Sequence, residues 1–360
     1  MKVLLLSKYP RMGASSRLRS LQYIPELNAT GIDVRVSSLF DERYLQTLYS
    51  EGKRLRLRCV LLYLRRLWVV FGIFRYDLVW IEYEVFPYCP ALVERLLRWL
   101  GKPYVVDYDD AVFHNYDMAA NVVVRKVLGK KIDTVMRNAA CVVVGNEYLA
   151  ERARKVGARR IEIIPTVVDH TRYQCATKGS AARPVIGWIG TPATQAYVVG
   201  IRDALRTVCE STGARLLLVG ATANVTEQIP GMLVDVMPWS EAAEADLIRQ
   251  MHVGIMPLQD GPWDRGKCGY KLIQYMASGV PVVASPVGVN VDIVNQGRCG
   301  RLAESTQDWA EALTELLSSE PLRQSFGSAG RKAVEQRYSL QVQAPVLAGI
   351  FQSITKQGRA

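Results

Sequence analysis

One segment, residues 265–286 (RGKCGYKLIQYMASGVPVVASP), combines glycines and cations at the start of a predicted helix. Gly269 allows backbone amides to approach a ligand closely, because glycine has no Cβ and readily adopts left-handed conformations. Lys271 brings positive charge, and the helix that begins near Tyr270 would direct its free N–H groups and positive dipole end at a phosphate. Gln274 lies one turn after Lys271 and faces the same way. The segment therefore predicts a phosphate-binding site.

The same segment places this site at an edge of a sheet. Gly266 and Lys267 extend the glycine-rich, cationic loop ahead of the helix. Gly279 ends the helix, and the chain then turns into a predicted buried strand at residues 282–284. Open α/β sheets bind ligands beside the carboxyl ends of their strands, so we expect the ligand to bind there.

The run that begins at Lys271, KLIQYMASGVPVVAS, resembles the donor-site signature of GT-B glycosyltransferases of the retaining family 4 (group 1) type. Members usually carry a Glu, seven residues and a second Glu ahead of an AMAxGxPV run. Here Gly266 stands at the first Glu position and Gln274 at the second. The resemblance implies that the second position holds the ribose hydroxyls, from which the amide oxygen of Gln274 can still accept hydrogen bonds. The first Glu usually contacts the donor sugar, so the identity of the sugar stays open.

A second glycine turn, Gly190-Thr191, follows another predicted strand and offers backbone N–H groups to a β-phosphate. Many members of the resembled family place an Arg and a Lys just beyond this turn, and neither is present here. The diphosphate charge is then expected to fall on Lys271, assisted by Lys267 or Arg265. The residues expected to contact the donor are Gly190, Thr191, Asp260, Arg265, Lys267, Gly269, Tyr270, Lys271, Leu272 and Gln274.

Short apolar runs alternate with helical stretches along the chain, which indicates parallel sheets covered on both faces. A polar, nearly patternless run, CATKGSAAR, separates two similar halves. The resemblance implies the GT-B fold, an α/β architecture with two Rossmann-like domains facing across a cleft and a C-terminal helix that crosses back to the N-terminal domain. We therefore expect an acceptor domain at residues 1–172, a linker at 173–183, a nucleotide-sugar donor domain at 184–340 and a crossover helix at 341–360.

Three carboxylates cluster where a predicted strand, residues 104–108, reaches its carboxyl end. Asp107, Asp109 and Asp110 lie within four positions, and such acids are costly to bury unless a ligand, a cation or water receives them. In the resembled family a His-Asp pair at this point faces the donor sugar; Asp109 stands in place of the His and Asp110 matches the Asp. His114 lies four residues further on. The alternatives are a loop whose acids cap the following helix, and a metal-binding DxD site, although the resemblance implies that no metal is needed.

The turn after the first predicted strand, YPRMGASSR, places a glycine ahead of hydroxyls and cations at a helix N-terminus. Such a turn can approach a sugar or a phosphate closely, and its position matches the glycine loop after the first strand of the resembled family. Alternatively, Ser15 is only an N-cap. There is no GxGxxG motif here, which disfavours a dinucleotide dehydrogenase. The acceptor contacts expected from this turn are Gly13, Ser15, Ser16 and Arg17.

Glu82 and Glu84 follow the predicted strand 78–81. Alternate residues of a strand share a face, so the two carboxylates are expected to project together. They could then meet an acceptor hydroxyl. The alternative is that both are exposed acids at the end of a strand.

Charge is distributed unevenly along the chain, whose formal net charge is +11. Residues 1–172 hold 28 Lys/Arg and 18 Asp/Glu, a net of +10, whereas residues 173–360 hold 17 and 16, a net of +1. A uniformly basic chain would suggest nucleic acid, but this asymmetry suggests that the N-terminal domain meets an anionic surface or acceptor. The seven cysteines are scattered without CxxC spacing, which favours a reducing cytosol and no structural metal.

Residues 53–76 are the candidate membrane segment, with seven Lys/Arg and no acid. Their apolar stretch, residues 59–74, is 16 residues long and contains two arginines, so it is shorter than the ~20 residues that span a bilayer. It can instead lie in the headgroup layer of an anionic membrane. The lipid contacts expected are Arg65, Arg66, Trp68 and Phe71. The alternative is an interdomain or core helix whose arginines are solvated.

Together these features predict a glycosyltransferase that moves a sugar from a nucleotide-diphosphate donor to a lipid-linked or envelope glycan, in the cytoplasm and peripheral on the inner face of the membrane. Lys271, the helix N-terminus and the Gly190 turn would neutralise charge on the departing β-phosphate. The resemblance implies retention, with the phosphate itself taking the proton, and neither metal nor cofactor. With inversion, Asp109 or Asp110 becomes the leading general base. The alternatives are a sugar-nucleotide 2-epimerase and a catalytically silent protein that binds sugar nucleotides or glycans.

Overall fold

The computed structural model describes residues 1–51, 55–175 and 183–357, and these form two compact units. The first unit contains Met1–Thr166, Gly266–Cys268 and the chain from Leu340 onward. The second contains the described residues of 167–265 and 269–339. The first segment of this unit therefore ends at Thr166, whereas the sequence placed the domain boundary at residue 172. Most of the expected linker, residues 176–182, lies outside the described residues.

A six-stranded parallel sheet forms the core of the first unit. Its strands are rich in Val, Leu and Ile and are mostly buried, as expected for strands covered on both faces. The strands are β1 (Lys2–Ser7), β2 (Asp33–Ser38), β3 (Leu78–Glu82), β4 (Tyr104–Tyr108), β5 (Cys141–Val144) and β6 (Ile161–Ile163).

The order of these strands is β2-β1-β3-β4-β5-β6. The chain leaves β1 toward one edge of the sheet and later returns to the other side of β1 to form β3. This reversal creates a switch point between the carboxyl ends of β1 and β3, where open α/β sheets bind ligands. The residues that follow Ser7 and Glu82 therefore lie at the edge of the sheet where a ligand is expected to bind.

Helices cover both faces of this sheet. The apolar pattern over residues 15–27 predicts one helix, but the structure has two, with a 3-10 turn at Leu21–Tyr23 between them and Pro25 in the first turn of the second. The helices are α1 (Ala14–Arg19), α2 (Ile24–Ala29), α3 (Glu42–Glu51), α4 (Arg56–Phe71), α5 (Leu92–Trp99), α6 (His114–Asp117), α7 (Val122–Leu128), α8 (Lys131–Asn138) and α9 (Glu147–Lys155).

A second six-stranded parallel sheet forms the core of the second unit. Its order is β12-β11-β10-β7-β8-β9, the Rossmann order with a switch point between β7 and β10. The short strand β12 was not predicted from the sequence. The strands are β7 (Val185–Ile189), β8 (Arg215–Val219), β9 (Val234–Met237), β10 (Val253–Met256), β11 (Val282–Ala284) and β12 (Gly300–Leu302).

The helices that pack against this sheet include the signature helix, which spans Tyr270–Ala277 as predicted. They are α10 (Gln195–Gly200), α11 (Arg202–Thr212), α12 (Val225–Gln228), α13 (Glu244–Arg249), α14 (Pro262–Arg265), α15 (Tyr270–Ala277), α16 (Asn290–Gly297), α17 (Thr306–Ser318) and α18 (Glu320–Arg337).

The last helix, α19 (Leu340–Gln357), packs in the first unit against α2. Phe351 of this helix lies edge-on to Trp80 of β3, with ring centroids 5.2 Å apart. Both rings are fully buried, so the contact ties the end of the chain to the first sheet. The predicted return of the C-terminal helix to the N-terminal domain is therefore confirmed.

Candidate active site

The switch point of the first sheet brings Ser16 and Glu82 into direct contact. Ser16 Oγ donates to Glu82 Oε2 at 2.6 Å, and the same oxygen accepts the Lys8 backbone N–H at 2.8 Å. Ser16 Oγ in turn accepts the Tyr9 backbone N–H at 2.9 Å. A hydrogen bond thus connects the predicted acceptor turn, through Ser16, to the predicted acceptor pair Glu82 and Glu84. Through its bond to the Lys8 N–H, Glu82 also shapes the turn that follows β1.

Burial controls the protonation of Glu82. Removal of the carboxyl group from water raises its pKa to about 7, and the bonds from Ser16 and the Lys8 N–H oppose this shift. The charge of the neighbouring Asp109 contributes to this rise in pKa. Glu82 Oε1 is buried and has no hydrogen-bond partner among the described residues. Glu82 can therefore hold or release a proton near neutral pH.

Glu82 and Glu84 do not project together, and neither is an exposed acid. Tyr83 between them has a φ of 61°, which is uncommon for an aromatic residue, and β3 ends at Glu82. Glu84 is buried, accepts the Tyr116 hydroxyl at 2.7 Å and pairs with Lys131. The expectations of a shared face and of exposed acids were wrong, because alternation holds only while the backbone stays extended. Contact of Glu82 or Glu84 with an acceptor stays a prediction.

Tyr83 connects this switch point to the acid cluster after β4. Its hydroxyl donates to Asp109 Oδ1, and its ring lies 5.6 Å from Lys8 Nζ. Burial raises the pKa of Tyr83 well above its usual value, so the hydroxyl remains a donor. Asp109 and Asp110 are half-buried. Contact of these two carboxylates with a donor sugar stays a prediction.

Asp107, the third acid of the cluster, forms a salt bridge with Arg19. Both side chains are buried, with Arg19 Nε 2.8 Å from Asp107 Oδ1 and Nη2 3.3 Å from Oδ2. Arg19 also donates to Ile164 O at 2.8 Å. This bidentate pair offsets the cost of burying Asp107. Arg19 was not predicted, because no motif marks it.

His114 belongs to a separate cluster. Its Nδ1 lies 2.8 Å from Asp117 Oδ1 and its Nε2 lies 3.0 Å from the Tyr148 hydroxyl. Helix α6, which begins at His114, has no side-chain cap, and Asn121 caps α7, so the alternative in which the acids of this loop cap the following helix is not supported. Within the described residues no group of three or more His, Cys, Asp and Glu side chains is arranged to hold a metal ion.

Gly266 and Cys268 of the signature loop belong to the first unit. Asn146 Nδ2 donates to Gly266 O at 2.8 Å, and Cys268 Sγ lies 3.0 Å from Asp109 O. Gly266 packs so closely on Ala111 that a Cβ atom would collide with it. A glutamate does not fit at this position, which gives a physical reason for the departure from the family's first Glu.

The remaining residues of the predicted acceptor turn have structural partners. Gly13 is the N-cap of α1 and packs on Tyr9, whose side chain leaves no space for a Cβ atom. Ser15 is half-buried inside the first turn and is not the N-cap. Arg17 is buried and donates to Arg11 O at 3.1 Å. Acceptor contacts by Gly13, Ser15 and Arg17 stay predictions.

The second unit contains the predicted phosphate-binding helix. Gly269 is the N-cap of α15 with a φ of 65°, and Gly279 follows the helix with a φ of 67°, both left-handed as glycine permits. Lys271 Nζ lies 5.3 Å from the centroid of the Trp188 ring on β7. This cation–π contact holds the charge of Lys271 near the carboxyl end of β7, at the switch point.

Two other residues of this helix differ in their exposure. Tyr270 is half-buried, and its contact with the donor stays a prediction. Leu272 is fully buried in the core, and its N–H donates to Gly269 O at 2.9 Å. The prediction that Leu272 contacts the donor is not supported, because its side chain anchors the helix from the inside.

The turn at Gly190 and Thr191 does not offer the two free N–H groups that the sequence suggested. Gly190 N–H donates to Val219 O at 2.9 Å, because β7 and β8 continue to pair at this point. Thr191 N–H donates to Thr194 Oγ1 at 3.2 Å. The Trp188 ring packs against Gly190 and explains the glycine sterically. The expectation that both N–H groups are free for a β-phosphate is therefore wrong, and contact of Gly190 and Thr191 with the donor stays a prediction.

Gln274 is buried, and its side-chain amide opposes the rise that burial causes in the pKa of Tyr173. Tyr173 donates to Glu244 Oε1 at 2.7 Å, and Trp239 Nε1 donates to Glu244 Oε2 at 3.0 Å. Glu244 is a buried carboxylate that sequence reasoning missed, since no recognised motif contains it. The ribose contact of Gln274 stays a prediction.

Asp260 and Arg265 pair with each other. Arg265 Nε lies 2.6 Å from Asp260 Oδ1 and Nη2 lies 2.8 Å from Oδ2, and this guanidinium lowers the pKa of Asp260. The charge of Arg265 is thus offset by a neighbour of the same unit. Lys267 is half-buried in the first unit. These contacts leave Lys271 as the leading candidate for the diphosphate.

The candidate membrane segment contains α4, whose two adjacent arginines face different environments. Arg66 is buried and donates to Ser7 O at 2.6 Å, so the prediction that it contacts lipid is wrong. Burial lowers the pKa of Arg66 to about 9. Arg65 is exposed, as are Trp68 (79%) and Phe71 (71%). In the part of the chain that the structure describes, no helix is long and apolar enough to cross a membrane.

Two comparisons relate the sequence to known proteins. Residues 183–319 match the family model described as glycosyl transferases group 1. The chain is 33% identical over 92 residues to the phosphatidyl-myo-inositol mannosyltransferase of Mycobacterium leprae (strain TN), and this match covers 25% of the chain and 24% of that protein. It is 31% identical over 98 residues to the capsular polysaccharide biosynthesis glycosyltransferase CapM of Staphylococcus aureus, with 27% and 26% covered. The chain thus spans about a quarter of the length of these relatives.

Solved structures match over nearly the whole chain. Sucrose-phosphate synthase from Thermosynechococcus elongatus superposes with a TM-score of 0.75 at 15% identity, covering 99% of this chain and 100% of that one. Anabaena HepE in complex with UDP and glucose superposes with a TM-score of 0.70 at 16% identity, covering 98% and 100%. Identities this low establish the fold. Residues 183–319 are therefore similar to the group 1 glycosyltransferases, and the whole chain has the GT-B fold.

Proposed function

We propose that the protein is a glycosyltransferase that moves a sugar from a nucleoside-diphosphate sugar to a glycan or lipid-linked acceptor. The observation that carries this proposal is the phosphate-binding arrangement of α15, which lies inside the region that matches the group 1 family. Gly269 opens the helix and Lys271 lies over the Trp188 ring at the switch point of the second sheet. The related fold of HepE, solved with UDP and glucose, supports a nucleotide-sugar donor.

In this proposal Lys271 stabilises the leaving group. Negative charge grows on the β-phosphate as the glycosidic bond breaks, and a fixed cation at that point lowers the barrier. The ring of Trp188 restricts Lys271 to that position without neutralising it. Retention and independence from a metal are proposed from the resemblance of the signature to the retaining group 1 enzymes.

The first unit supplies the acidic residues of the proposal. Asp109 and Asp110 are the candidates for contact with the donor sugar, and the Tyr83 hydroxyl fixes the orientation of Asp109. Glu82 and Ser16 shape the turn after β1, where the acceptor is proposed to bind. The names of the mannosyltransferase and of CapM, which act on a phosphatidylinositol and in capsule synthesis, support a lipid-linked or polysaccharide acceptor.

We also propose a peripheral location on the cytoplasmic face of a membrane. Helix α4 presents Trp68 and Phe71 to solvent and carries no acid, and both features suit the headgroup layer of an anionic bilayer. The buried Arg66 fastens the opposite side of this helix to the first sheet. Arg65 is exposed and donates through Nη2 to Ser38 O at 2.7 Å, and its other N–H groups are proposed to meet lipid phosphate at the surface.

One assay separates the proposed transfer from its alternatives. A thermal-shift panel of UDP, GDP, dTDP and CMP sugars first identifies the donor that stabilises the protein. That donor is then incubated with and without lipid-linked acceptor, and free nucleotide and sugar are measured. Nucleotide release that depends on acceptor supports transfer. Interconversion of the sugar without acceptor would show a 2-epimerase, and binding with neither reaction would show a silent binding protein.

A further inference from the structure

Helix α5 presents an apolar stripe to solvent, as α4 does with Trp68 and Phe71. Leu92, Leu96 and Trp99 recur at i, i+4 and i+7, which places them on one side of the helix, and Trp99 is 81% exposed. The opposite side of the helix packs into the unit through the buried Leu97. Exposed large side chains in a continuous stripe indicate a binding surface, whereas scattered ones do not.

Helices α4 and α5 cover the same face of the first sheet. The order β2-β1-β3-β4 means that α4, between β2 and β3, and α5, between β3 and β4, connect strands in the same direction across the sheet. Parallel crossovers are almost always right-handed, so both helices lie on one face. The other face is occupied by α19, whose Phe351 packs on Trp80. The two stripes therefore belong to one side of the unit.

The exposed charges of α4 and α5 all have one sign. Helix α4 contains no acid. The acid of α5, Glu94, is buried and accepts the Val85 N–H at 2.9 Å, so it does not reach the surface. Arg56 on α4 and Arg95 and Arg98 on α5 are exposed. Exposed leucines and tryptophans among cations, without exposed acids on either helix, match an anionic lipid surface.

We propose that α4 and α5 form one lipid-binding face that docks on an anionic bilayer, with Trp68 and Trp99 inserted at the headgroup level. The proposal rests on the peripheral location proposed above and extends the contact from one helix to two. Tryptophan suits this position because its ring is apolar and its N–H remains near water. Two parallel stripes define a plane and so fix the orientation of the unit on the membrane, which a single helix does not.

The test uses the full-length protein and flotation with two kinds of vesicle, phosphatidylcholine alone and phosphatidylcholine with about one third phosphatidylglycerol. The charge variant is Arg95→Glu with Arg98→Glu on α5. Its control is Arg202→Glu with Arg206→Glu on α11 of the second unit, which changes the net charge equally. The apolar variants are Trp99→Ser and Leu96→Ser. The control for Leu96 (47% exposed) is Val346→Ser (45%), which lies on α19 across the sheet.

We expect the charge variant to lower partitioning into anionic vesicles by roughly thirty-fold or more, and Trp99→Ser to lower it by roughly ten-fold. The two controls should partition like the wild type. Circular dichroism and thermal unfolding verify that each variant is folded, and a variant that unfolds is replaced by Trp99→Gln or Arg95→Gln.

The outcomes separate this inference from the proposal it rests on. If Trp68→Ser lowers binding and the α5 variants bind like the wild type, the lipid face ends at α4 and the inference is overturned. If variants on both helices bind like the wild type, or the wild type itself ignores anionic vesicles, the peripheral location fails as well. If the wild type is a dimer by sedimentation and the α5 variants are monomers that still float, the α5 stripe is a protein interface and the inference is overturned.

Discussion

Arg66 and Glu82 bind the two ends of the same peptide group. Arg66 Nη2 donates to Ser7 O at 2.6 Å, and Glu82 Oε2 accepts the N–H of Lys8, the next residue, at 2.8 Å. Arg66 comes from α4 and Glu82 from β3, so the candidate lipid-binding helix and the candidate site share one fixed point. The acceptor turn begins at this peptide group.

The first prediction concerns the two adjacent arginines of α4. Arg66→Gln should lower the free energy of unfolding by about 1–3 kcal/mol, because a buried charge-assisted hydrogen bond to Ser7 O is lost. Arg65→Gln, the matched control at the surface, should lower it by less than about 1 kcal/mol. Urea unfolding measures both. Equal stabilities for the two variants would show that Arg66 does not anchor α4.

Lys271→Ala should weaken binding of the nucleoside diphosphate by roughly 10- to 100-fold, because a charge-assisted contact contributes ~1.5–3 kcal/mol. Lys332→Ala, which removes an exposed lysine from α18 of the same unit, is the control and should bind normally. Titration calorimetry measures the affinity. Unchanged affinity in a folded Lys271→Ala protein would contradict the proposed phosphate site.

Asp109→Asn should lower turnover by more than about tenfold and leave binding of free UDP or GDP nearly intact, since these ligands lack the sugar. Asp292→Asn, an exposed acid of the second unit, should change neither quantity. Steady-state rates and calorimetry are compared for each variant. A parallel loss of turnover and nucleotide binding would point to a scaffold role for Asp109.

Because the pKa of Glu82 is raised, we expect the free energy of unfolding to depend on pH. Its folded pKa of about 7 lies above the ordinary value of 4.5, so the folded state binds the proton more tightly than the unfolded state does. This contribution is fully present below about pH 4.5, falls as pH rises and is lost above about pH 7. Glu82→Gln does not titrate, so the stability of this variant relative to wild type should rise between about pH 5 and 8, by up to about 3 kcal/mol.

The measurement is urea unfolding of both proteins across that range of pH. Residues that titrate in both proteins cancel in the difference, which isolates Glu82. A difference that does not change with pH would mean that Glu82 is ionised throughout, held so by Lys8 and Ser16.

Binding to anionic vesicles should contain a salt-dependent and a salt-resistant part. Arg65→Glu should weaken the first, which is screened over ~8 Å at physiological salt and which the exposed arginines of α4 and α5 share. Trp68→Ser with Phe71→Ser should remove the second, because burial of such side chains contributes ~1.5–3 kcal/mol each. Flotation at low and high salt distinguishes them. If binding does not change with salt, with lipid charge or with these substitutions, α4 is an ordinary surface helix that does not contact the membrane.

Local features of the sequence were sufficient to predict most of the strands and the signature helix. Apolar runs of four to six residues mark buried parallel strands wherever they occur, since both faces of such strands are covered. Gly269 and Gly279 delimit α15 because a positive φ at a helix end is a property of the residue itself. The return of the last helix and the overall fold followed from the family resemblance.

Which polar groups meet was decided only by the tertiary structure. Arg66 lies 59 positions from Ser7 and Arg19 lies 88 positions from Asp107, so no local pattern marks either pair. Sequence reasoning therefore placed Arg66 on the membrane. The sequence assigned the N–H of Gly190 to a phosphate, but this group donates to Val219 O of the neighbouring strand β8. Backbone conformation and hydrophobic pattern are set by neighbours in sequence, whereas hydrogen-bond partners and burial depend on which distant strands the fold places side by side.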